Sequence, residues 1–358
     1  MKKLKVIQII DSLSVGGAEM LAVNIANSLS ESNIESHLCV TRKEGDLKNN
    51  IDKRVHYIFL NRKKTFDVSA ILRLKKYIKT HQISIIHAHS TSSFIAVCIK
   101  ILYPKVKVVW HNHTGNYKHL KGYKLRFLKS YSKFITYTIS VNRDLDFWVK
   151  NTLKFNKGSY VPNFPIFADL NQTTKLKGIN NKRIVHVGGL RPVKDHFNLF
   201  EAFKIFKNDF PNWSLHLIGK DYEDSYSEKI KNYITQNNLS EHVFLYGVQS
   251  DIKNILSQAR IGVLSSESEG LPISLLEYGL ANIPVLVTDV GECKSVVNNK
   301  NAVVKSQDSS KFAKGLKSIV TNDTIEKQIK ADVYMSVQNN YSKEKITKQL
   351  INIYHQIC

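Results

Sequence analysis

Short apolar runs recur along the whole chain with room for a helix between most neighbours, and this rhythm restricts the fold more than any other feature. In the first half, the runs Val6–Ile10, Ser36–Val40, Val55–Leu60, Ile83–His87, Val106–Trp110 and Phe134–Ile139 alternate with helix-like segments at Ala18–Leu29, Val68–Thr80, Ser92–Leu102 and Arg143–Lys150. Strand–helix alternation of this kind predicts a parallel, doubly wound sheet, because parallel neighbours need a crossover between them. A second alternation starts at the strand Arg183–Val187. It continues through a helix at Lys194–Lys207, a strand at Ser214–Ile218, a helix near Ser227–Asn237, a strand at Val243–Tyr246, a helix near Ile252–Gln258 and a strand at Ile261–Leu264. A short helix then leads to the strand Val285–Thr288, and helical stretches follow around Lys311–Ile319 and Lys343–Ile357.

The turn-rich region Asn163–Asn181, with Pro165, Asn171, Gly178, Asn180 and Asn181, reads as a linker. A chain of 358 residues is long enough for two domains. The expected fold is therefore α/β, with two Rossmann-like domains facing each other across a cleft. The first spans residues 1–165, the linker 166–181 and the second domain 182–340, with a C-terminal helix over 341–358 packing back on the first domain. Ligands of such sheets bind at the carboxyl ends of the strands.

Composition excludes several classes. With 42% hydrophobic and 23% charged residues the chain is folded rather than disordered. Cys39, Cys98, Cys293 and Cys358 show no Cys-x-x-Cys pair and no zinc spacing, so they read as reduced packing thiols, an expectation that places the protein in the cytoplasm. The basic start Met1–Ile10 is interrupted by Gln8 and ended by Asp11, which favours a first strand over a signal peptide. Residues 83–103 are apolar, but His87, His89, Ser90, Ser92 and Ser93 interrupt them, which argues against a membrane-spanning helix.

The net charge of +22 is unevenly distributed: residues 1–165 hold 28 Lys and Arg against 10 Asp and Glu, the remainder 24 against 20. Within the first half, Lys118, Lys121, Lys124, Arg126, Lys129 and Lys133 are interleaved with Leu120, Tyr123, Leu125, Phe127, Leu128, Tyr131 and Phe134. Such a stretch suits an anionic membrane surface, where each basic residue contributes about 1 kcal/mol. A solvated basic helix flanking a core stripe fits it equally. No helix-turn-helix, RNA-binding aromatic motif or zinc finger accompanies the charge, so nucleic acid is not the expected partner.

The segment Ser268–Glu277 sets two carboxylates eight residues apart around a helix start, with Gly270 as the turn and Pro272 near the first helical position. Free N–H groups at that end, here from Gly270, Leu271, Pro272's successors Ile273 and Ser274, and Leu275, suit a diphosphate. Glu269 and Glu277 can each accept a pair of neighbouring sugar hydroxyls. An amphipathic helix with two solvated glutamates is the plainer alternative. Gly279, Ala281 and Pro284 are expected to close the helix before the Val285 strand.

Three further groups fall at strand ends. Gly16 and Gly17 open a helix after the first strand, where they allow close approach of a phosphate or simply make a tight turn. His87 and His89 follow one strand, His111 and His113 the next; without companion cysteines they read as donors to substrate hydroxyls, with one or two satisfied at the core edge, rather than as a metal site. In Gly188–His196, Arg191 and Lys194 can neutralise a leaving diphosphate, or stand as surface cations.

Taken in order, Gly-Gly-Ala-Glu at 16–19, His-Asn-His at 111–113, Val161-Pro162-Asn163, Gly188–Lys194 and the Glu-x7-Glu of Glu269 and Glu277 resemble the retaining glycosyltransferases of family 4, which have the GT-B fold. The resemblance covers nearly the whole chain. It implies transfer of a sugar from a nucleotide-diphosphate sugar to an acceptor hydroxyl, with retention and no essential metal or other cofactor. It assigns Glu269 to the donor sugar, Glu277 to the ribose, Lys194 and its loop to the diphosphate, His113 to the reacting sugar, and the backbone of Gly270–Leu275 to sugar and phosphate. The family often has an arginine where this chain has Gly189, and Arg191 stands two residues away. Retention without a placed nucleophile implies front-face attack, in contrast to the carboxylate pairs of retaining glycosidases.

The expected role is building a capsule, O-antigen or lipopolysaccharide on a glycan or polyprenol-linked acceptor, at the inner face of the cell membrane. A nucleotide-sugar epimerase and a non-catalytic nucleic-acid-binding protein are the alternatives. A dinucleotide oxidoreductase is disfavoured because no Gly-x-Gly-x-x-Gly follows either leading strand.

Overall fold

Hydrogen-bond registers in the computed structural model, which describes residues 3–113, 120–167 and 172–358, resolve the apolar runs into two all-parallel sheets. The chain divides into two units, Met1–Asn163 with Lys343–Cys358, and Phe164–Ser342.

In the first unit the order along the chain is β1 (Leu4–Ser12), α1 (Gly17–Ser30), β2 (Ile34–Lys43), β3 (His56–Phe59), α2 (Val68–Thr80), β4 (Ile85–His89) and α3 (Ser93–Leu102). Then come β5 (Lys107–Asn112), α4 (Gly122–Ser132), β6 (Tyr137–Ser140), α5 (Arg143–Asn151) and β7 (Gly158–Tyr160). The spatial order β3-β2-β1-β4-β5-β6-β7 reverses direction between β1 and β4, the switch point where such sheets open a crevice at their carboxyl ends. Central strands covered on both faces carry no polar alternation, and all five residues of β4 are buried, its two histidines included. The edge strand β7 is three residues long, too short for periodicity to reveal. Its Gly158 is needed because a Cβ there would lie 2.1 Å from Thr138 Oγ1.

The second unit runs β8 (Arg183–Val187), α6 (His196–Asp209), β9 (Ser214–Ile218), α7 (Ser225–Gln236), β10 (Val243–Leu245), α8 (Ile252–Ser257) and β11 (Ile261–Leu264). It continues with α9 (Ile273–Leu280), β12 (Val285–Thr288), α10 (Cys293–Val297), β13 (Val303–Val304), α11 (Ser309–Thr321) and α12 (Asp323–Asn340), and the sheet order is β10-β9-β8-β11-β12-β13. Phe200, Phe203, Phe206, Tyr278 and Phe312 are fully buried in its core, and each such side chain contributes roughly 1.5–3 kcal/mol of burial.

The last helix of the chain, α13 (Lys343–Ile357), belongs to the first unit. It buries Ile346, Leu350, Ile353 and Tyr354, packs against α1, and pairs Lys343 with Glu31.

Three expectations need correcting. Helix α6 begins at His196 and not at Lys194, because Asp195 takes a left-handed conformation (φ 47°) and its carboxylate accepts the Asn198 N–H as a cap. Gly279 does not close α9 but lies inside it, where the missing side chain admits α12: a Cβ there would lie 2.5 Å from Val337 and 3.0 Å from Val333. The described part of the turn-rich region is not a free tether. The N–H groups of Thr173 and Thr174 donate to the Asp251 carboxylate, that of Leu176 donates to Gln258, and Leu176 is buried in the second core.

Among the described residues no helix is long and apolar enough to cross a membrane. The four cysteines are free, with Cys39 and Cys293 buried.

Candidate active site

In the second unit, two loops at the carboxyl ends of neighbouring strands are tied to one another. The loop after β8 passes Gly188 and Gly189, makes one 3-10 turn at Pro192–Lys194 and enters α6; the loop after β11 runs from Ser265 to Pro272 and enters α9. Ser265 Oγ donates to the carbonyls of Lys194 and Asp195, at 2.9 and 3.1 Å, and the Glu267 N–H donates to Val193 O at 2.9 Å. Across this seam Lys194 Nζ meets Glu269 Oε1 at 2.7 Å, and Ser266 Oγ donates to the same oxygen at 2.6 Å. Both charged side chains are largely buried, at 18% and 11% exposure, so the pair is worth more than a surface ion pair and is costly to break from one side.

Two glycines permit these approaches. Gly291 sits at φ 54°, and a Cβ there would lie 2.3 Å from Glu269 O and 2.5 Å from Gly270 O. At Gly219 a Cβ would lie 2.2 Å from Gly188 O. The loop bearing Glu269 is further held by Thr288 Oγ1 donating to Ser266 O at 2.7 Å and by the Glu292 N–H donating to Gly270 O.

Pro272 stands just ahead of α9 with extended backbone, and Ile273 is the first helical residue. Its position leaves the N–H groups of Ile273 and Ser274 without an acceptor among the described residues, while that of Leu275 reaches Pro272 O at 3.2 Å. Leu271, Pro272, Ser274 and Leu275 are buried, so this end offers backbone and not side chains. One turn on, Glu277 is buried, 8% exposed, and no group among the described residues hydrogen-bonds or pairs with its carboxylate. Burial alone pushes its carboxyl up to about 7. The plainer reading of two solvated glutamates is thereby excluded for both residues.

Arg191 goes elsewhere: its guanidinium lies over the Tyr222 ring, 4.7 Å from the centroid, and bonds the Tyr222 hydroxyl. Its guanidinium forms no hydrogen bond or ion pair with Lys194 or Glu269 among the described residues, and Arg191 meets Lys194 only through its carbonyl, which accepts the Lys194 N–H at 3.0 Å. Tyr222 gave no sign in the sequence because a lone tyrosine after a strand carries no spacing.

In the first unit the four histidines form one stacked and hydrogen-bonded group, with ring centroids of neighbours 4.3–5.3 Å apart. His87 Nε2 pairs with His111 Nδ1 at 3.0 Å, and His89 Nδ1 with His113 Nε2 at 3.0 Å. The outer nitrogens find Tyr354 Oη, 2.6 Å from His87 Nδ1, and Gln8 Oε1, 2.9 Å from His89 Nε2. His87, His89 and His111 are therefore interior groups rather than donors to a substrate, a correction to the expectation, and only His113 is partly exposed. Burial lowers all four, His87 and His113 to about 3, so the group stays neutral. The sequence could not foresee Tyr354 and Gln8 as partners, since neither lies near a histidine in the chain.

Gly16, in an extended conformation, precedes the first turn of α1, whose Met20 N–H donates to Gly16 O; a Cβ at Gly16 would lie 2.4 Å from Glu19 Oε2. Gly17 is the first residue of that helix. Of the basic stretch, Lys118 lies outside the described residues.

Comparison with known proteins follows the same division. The family model described as Glycosyltransferase Family 4 matches residues 15–151, and that described as Glycosyl transferases group 1 matches residues 171–334. An uncharacterized glycosyltransferase of Haemophilus influenzae is 22% identical over 350 residues, covering 94% of this chain and 95% of its own. The UDP-Gal:alpha-D-GlcNAc-diphosphoundecaprenol alpha-1,3-galactosyltransferase of Escherichia coli is 24% identical over 340 residues, covering 88% and 87%. Among solved structures, the HepE protein of Anabaena in complex with UDP-glucose superposes with a TM-score of 0.80 at 15% identity, covering 99% of this chain and all of its own, a likeness of fold. With two parallel α/β units and both family models matched, the chain belongs to the family 4 glycosyltransferases of the GT-B fold.

Proposed function

We propose that this glycosyltransferase moves a sugar from a nucleotide-diphosphate sugar to a hydroxyl of a glycan or polyprenol-linked acceptor, with retention at the anomeric carbon, in the synthesis of a cell-surface polysaccharide such as capsule, O-antigen or lipopolysaccharide. The observation that carries it is the buried Glu277 carboxylate, unpartnered among the described residues and one turn beyond the open amides of Ile273 and Ser274. A buried carboxylate without donors is costly unless a ligand supplies them, and a ribose diol does so. The amides and Lys194 suit the diphosphate beside it.

In this reading Glu269, fixed by Lys194 and Ser266, orients the transferred sugar and does not attack it. Lys194 and the α9 amides stabilise charge on the departing phosphate, whose oxygen takes the acceptor's proton. Within the first unit, His113 and the backbone of Gly16 and Gly17 are the candidates for substrate contact, and within the second Arg191 with Tyr222 edges the diphosphate loop. No metal is required by these roles.

The acceptor's setting is supported by a row of exposed aromatic and basic side chains on the first unit. Phe66 packs edge-on to Phe94 at 4.9 Å, and Phe94 lies 6.3 Å from Phe127. Val68, Leu72, Tyr123 and Phe127 are exposed, as are Arg126 and Lys129, while Leu128 turns into the core. Such a surface suits the anionic inner leaflet, which would make this a cytoplasmic, peripheral enzyme. The relative that acts on a diphosphoundecaprenol-linked sugar supports a lipid-linked acceptor.

The test is product analysis with a panel of nucleotide-diphosphate sugars and a polyprenol-diphosphate sugar acceptor, reading anomeric configuration by NMR. An inverted product sinks the retaining assignment, and conversion of the donor sugar without acceptor favours the epimerase alternative. Sedimentation with phosphatidylglycerol vesicles but not with phosphatidylcholine vesicles, weakened in Phe127→Ser/Lys129→Glu, is expected for the membrane surface; equal binding to both lipids refutes it.

A further inference from the structure

At the β3 edge of the first sheet, three histidines and a glutamate converge from three places in the chain. Glu35 and His37 stand on the same face of β2, two residues apart; His56 opens β3 directly across from His37; and His81 follows the last turn of α2. The His37 ring stacks on His56 at 4.7 Å and meets His81 edge-on at 5.3 Å. His37 Nε2 is 3.1 Å from Glu35 Oε1, and its Nδ1 is 2.9 Å from the Tyr77 hydroxyl. One ligand atom from each of Glu35, His37 and His81 lies within 4.8 Å of the other two.

We propose that Glu35, His37 and His81 form a binding site for a divalent transition-metal ion of the zinc class, separate from the transfer chemistry. With metal–nitrogen and metal–oxygen distances near 2.0–2.1 Å, tetrahedral ligand atoms stand about 3.3 Å apart. The Glu35–His37 pair, at 3.1 Å, is already close to that separation, and a His81 ligand atom lies within 4.8 Å of both. Tyr77, whose hydroxyl lies 2.9 Å from His37 Nδ1, fits the role of the outer partner that fixes a ligating imidazole: with a metal on Nε2, the ring proton would sit on Nδ1 and donate to the Tyr77 oxygen. His81 caps the carboxyl end of a 13-residue helix, where the helix dipole favours a cation. His56, exposed beside His37, or water completes the coordination. Lys5, 3.0 Å from Glu35 Oε2, occupies the other carboxylate oxygen and leaves Oε1 turned to His37.

A metal here would pin the end of α2 to the starts of β2 and β3. The buried group of His87, His89 and His111 is the competing site in this unit, but five of its six ring nitrogens are engaged with one another, Tyr354, Gln8 and His113, and only His111 Nε2 lacks a partner among the described residues. The experiment is titration of the full-length, chelator-treated protein with Zn2+ by calorimetry and with Co2+ by visible absorption. One equivalent is expected to bind, with the intense bands of four-coordinate Co2+ and a rise in Tm on adding Zn2+. His81→Phe, which keeps a ring against Tyr77, and Glu35→Gln should each weaken binding at least about tenfold and abolish the Tm rise. Absence of saturable binding in the wild type overturns the proposal, as does wild-type affinity in both variants.

Discussion

Replacing Glu277 by Gln is expected to make the protein more stable and less active, with a pH signature that identifies the cause. The carboxyl is buried without a partner among the described residues, and burial raises it from an ordinary 4.5 to about 7. A raised folded-state value means that the native protein holds a proton the unfolded chain has released, so stability falls as pH climbs from 4.5 to 7 and then levels off. At about 1.4 kcal/mol per pH interval, the burden on the wild type grows from about 1 kcal/mol at pH 5 to about 3 kcal/mol at pH 8. Glu277→Gln keeps the shape and never ionises. Urea denaturation of both proteins between pH 5 and pH 8 should therefore show the variant gaining steadily, to about 3 kcal/mol. Binding of whichever nucleotide-diphosphate sugar the donor panel identifies, measured in parallel, should weaken by about tenfold or more in the variant, because an amide cannot accept two ribose hydroxyls as a carboxylate does. A stability difference that stays flat across this range, or a variant less stable at pH 8, would refute the reasoning.

Lys194→Met should lower the rate of sugar transfer about a hundredfold or more, by removing the cation at the diphosphate. The same change leaves Glu269 largely buried without its cation, at a cost of about 2 kcal/mol in urea denaturation; transfer near the wild-type rate in both Lys194→Met and Glu269→Gln contradicts the assigned roles. Gly291→Ala combines a left-handed backbone with a Cβ in contact with two carbonyls, and should cost about 1–3 kcal/mol and depress activity together, read as Tm and turnover. Tyr354→Phe strips His87 Nδ1 of its buried partner and should lower the urea midpoint by the equivalent of about 1–3 kcal/mol without changing the denaturant slope.

The sequence was most legible where burial is uniform. Strands such as Ile261–Leu264 and Val285–Thr288 have every residue buried, so an apolar run marks them directly. Helix α12 escaped notice because only Ile329, Val333, Ser336 and Val337 of its 18 residues are buried, a thin stripe within a polar surface. Strand β13 and helix α10 are too short to show a period. At the candidate site the local geometry was readable: Pro272 and the apolar run after it do mark a helix start. Pairing was not. That Lys194 meets Glu269 across 75 positions, that Arg191 turns to Tyr222, and that four histidines pair across two strands depend on which loops the sheet order brings together. The histidines show the difference most plainly, since alternation along a strand normally sends every second side chain to one face, and here that face is the interior.

The return of α13 to the first unit has a consequence for the order in which the chain becomes complete. His87 waits on a hydroxyl 267 positions further along, and Glu31 on Lys343, with the whole of the second unit synthesised in between. The first unit's sheet is therefore made before the second unit and stays unfinished until α13 follows it, holding a buried imidazole short of its partner in the meantime. Damage to α13 would thus be felt in a sheet made well before it.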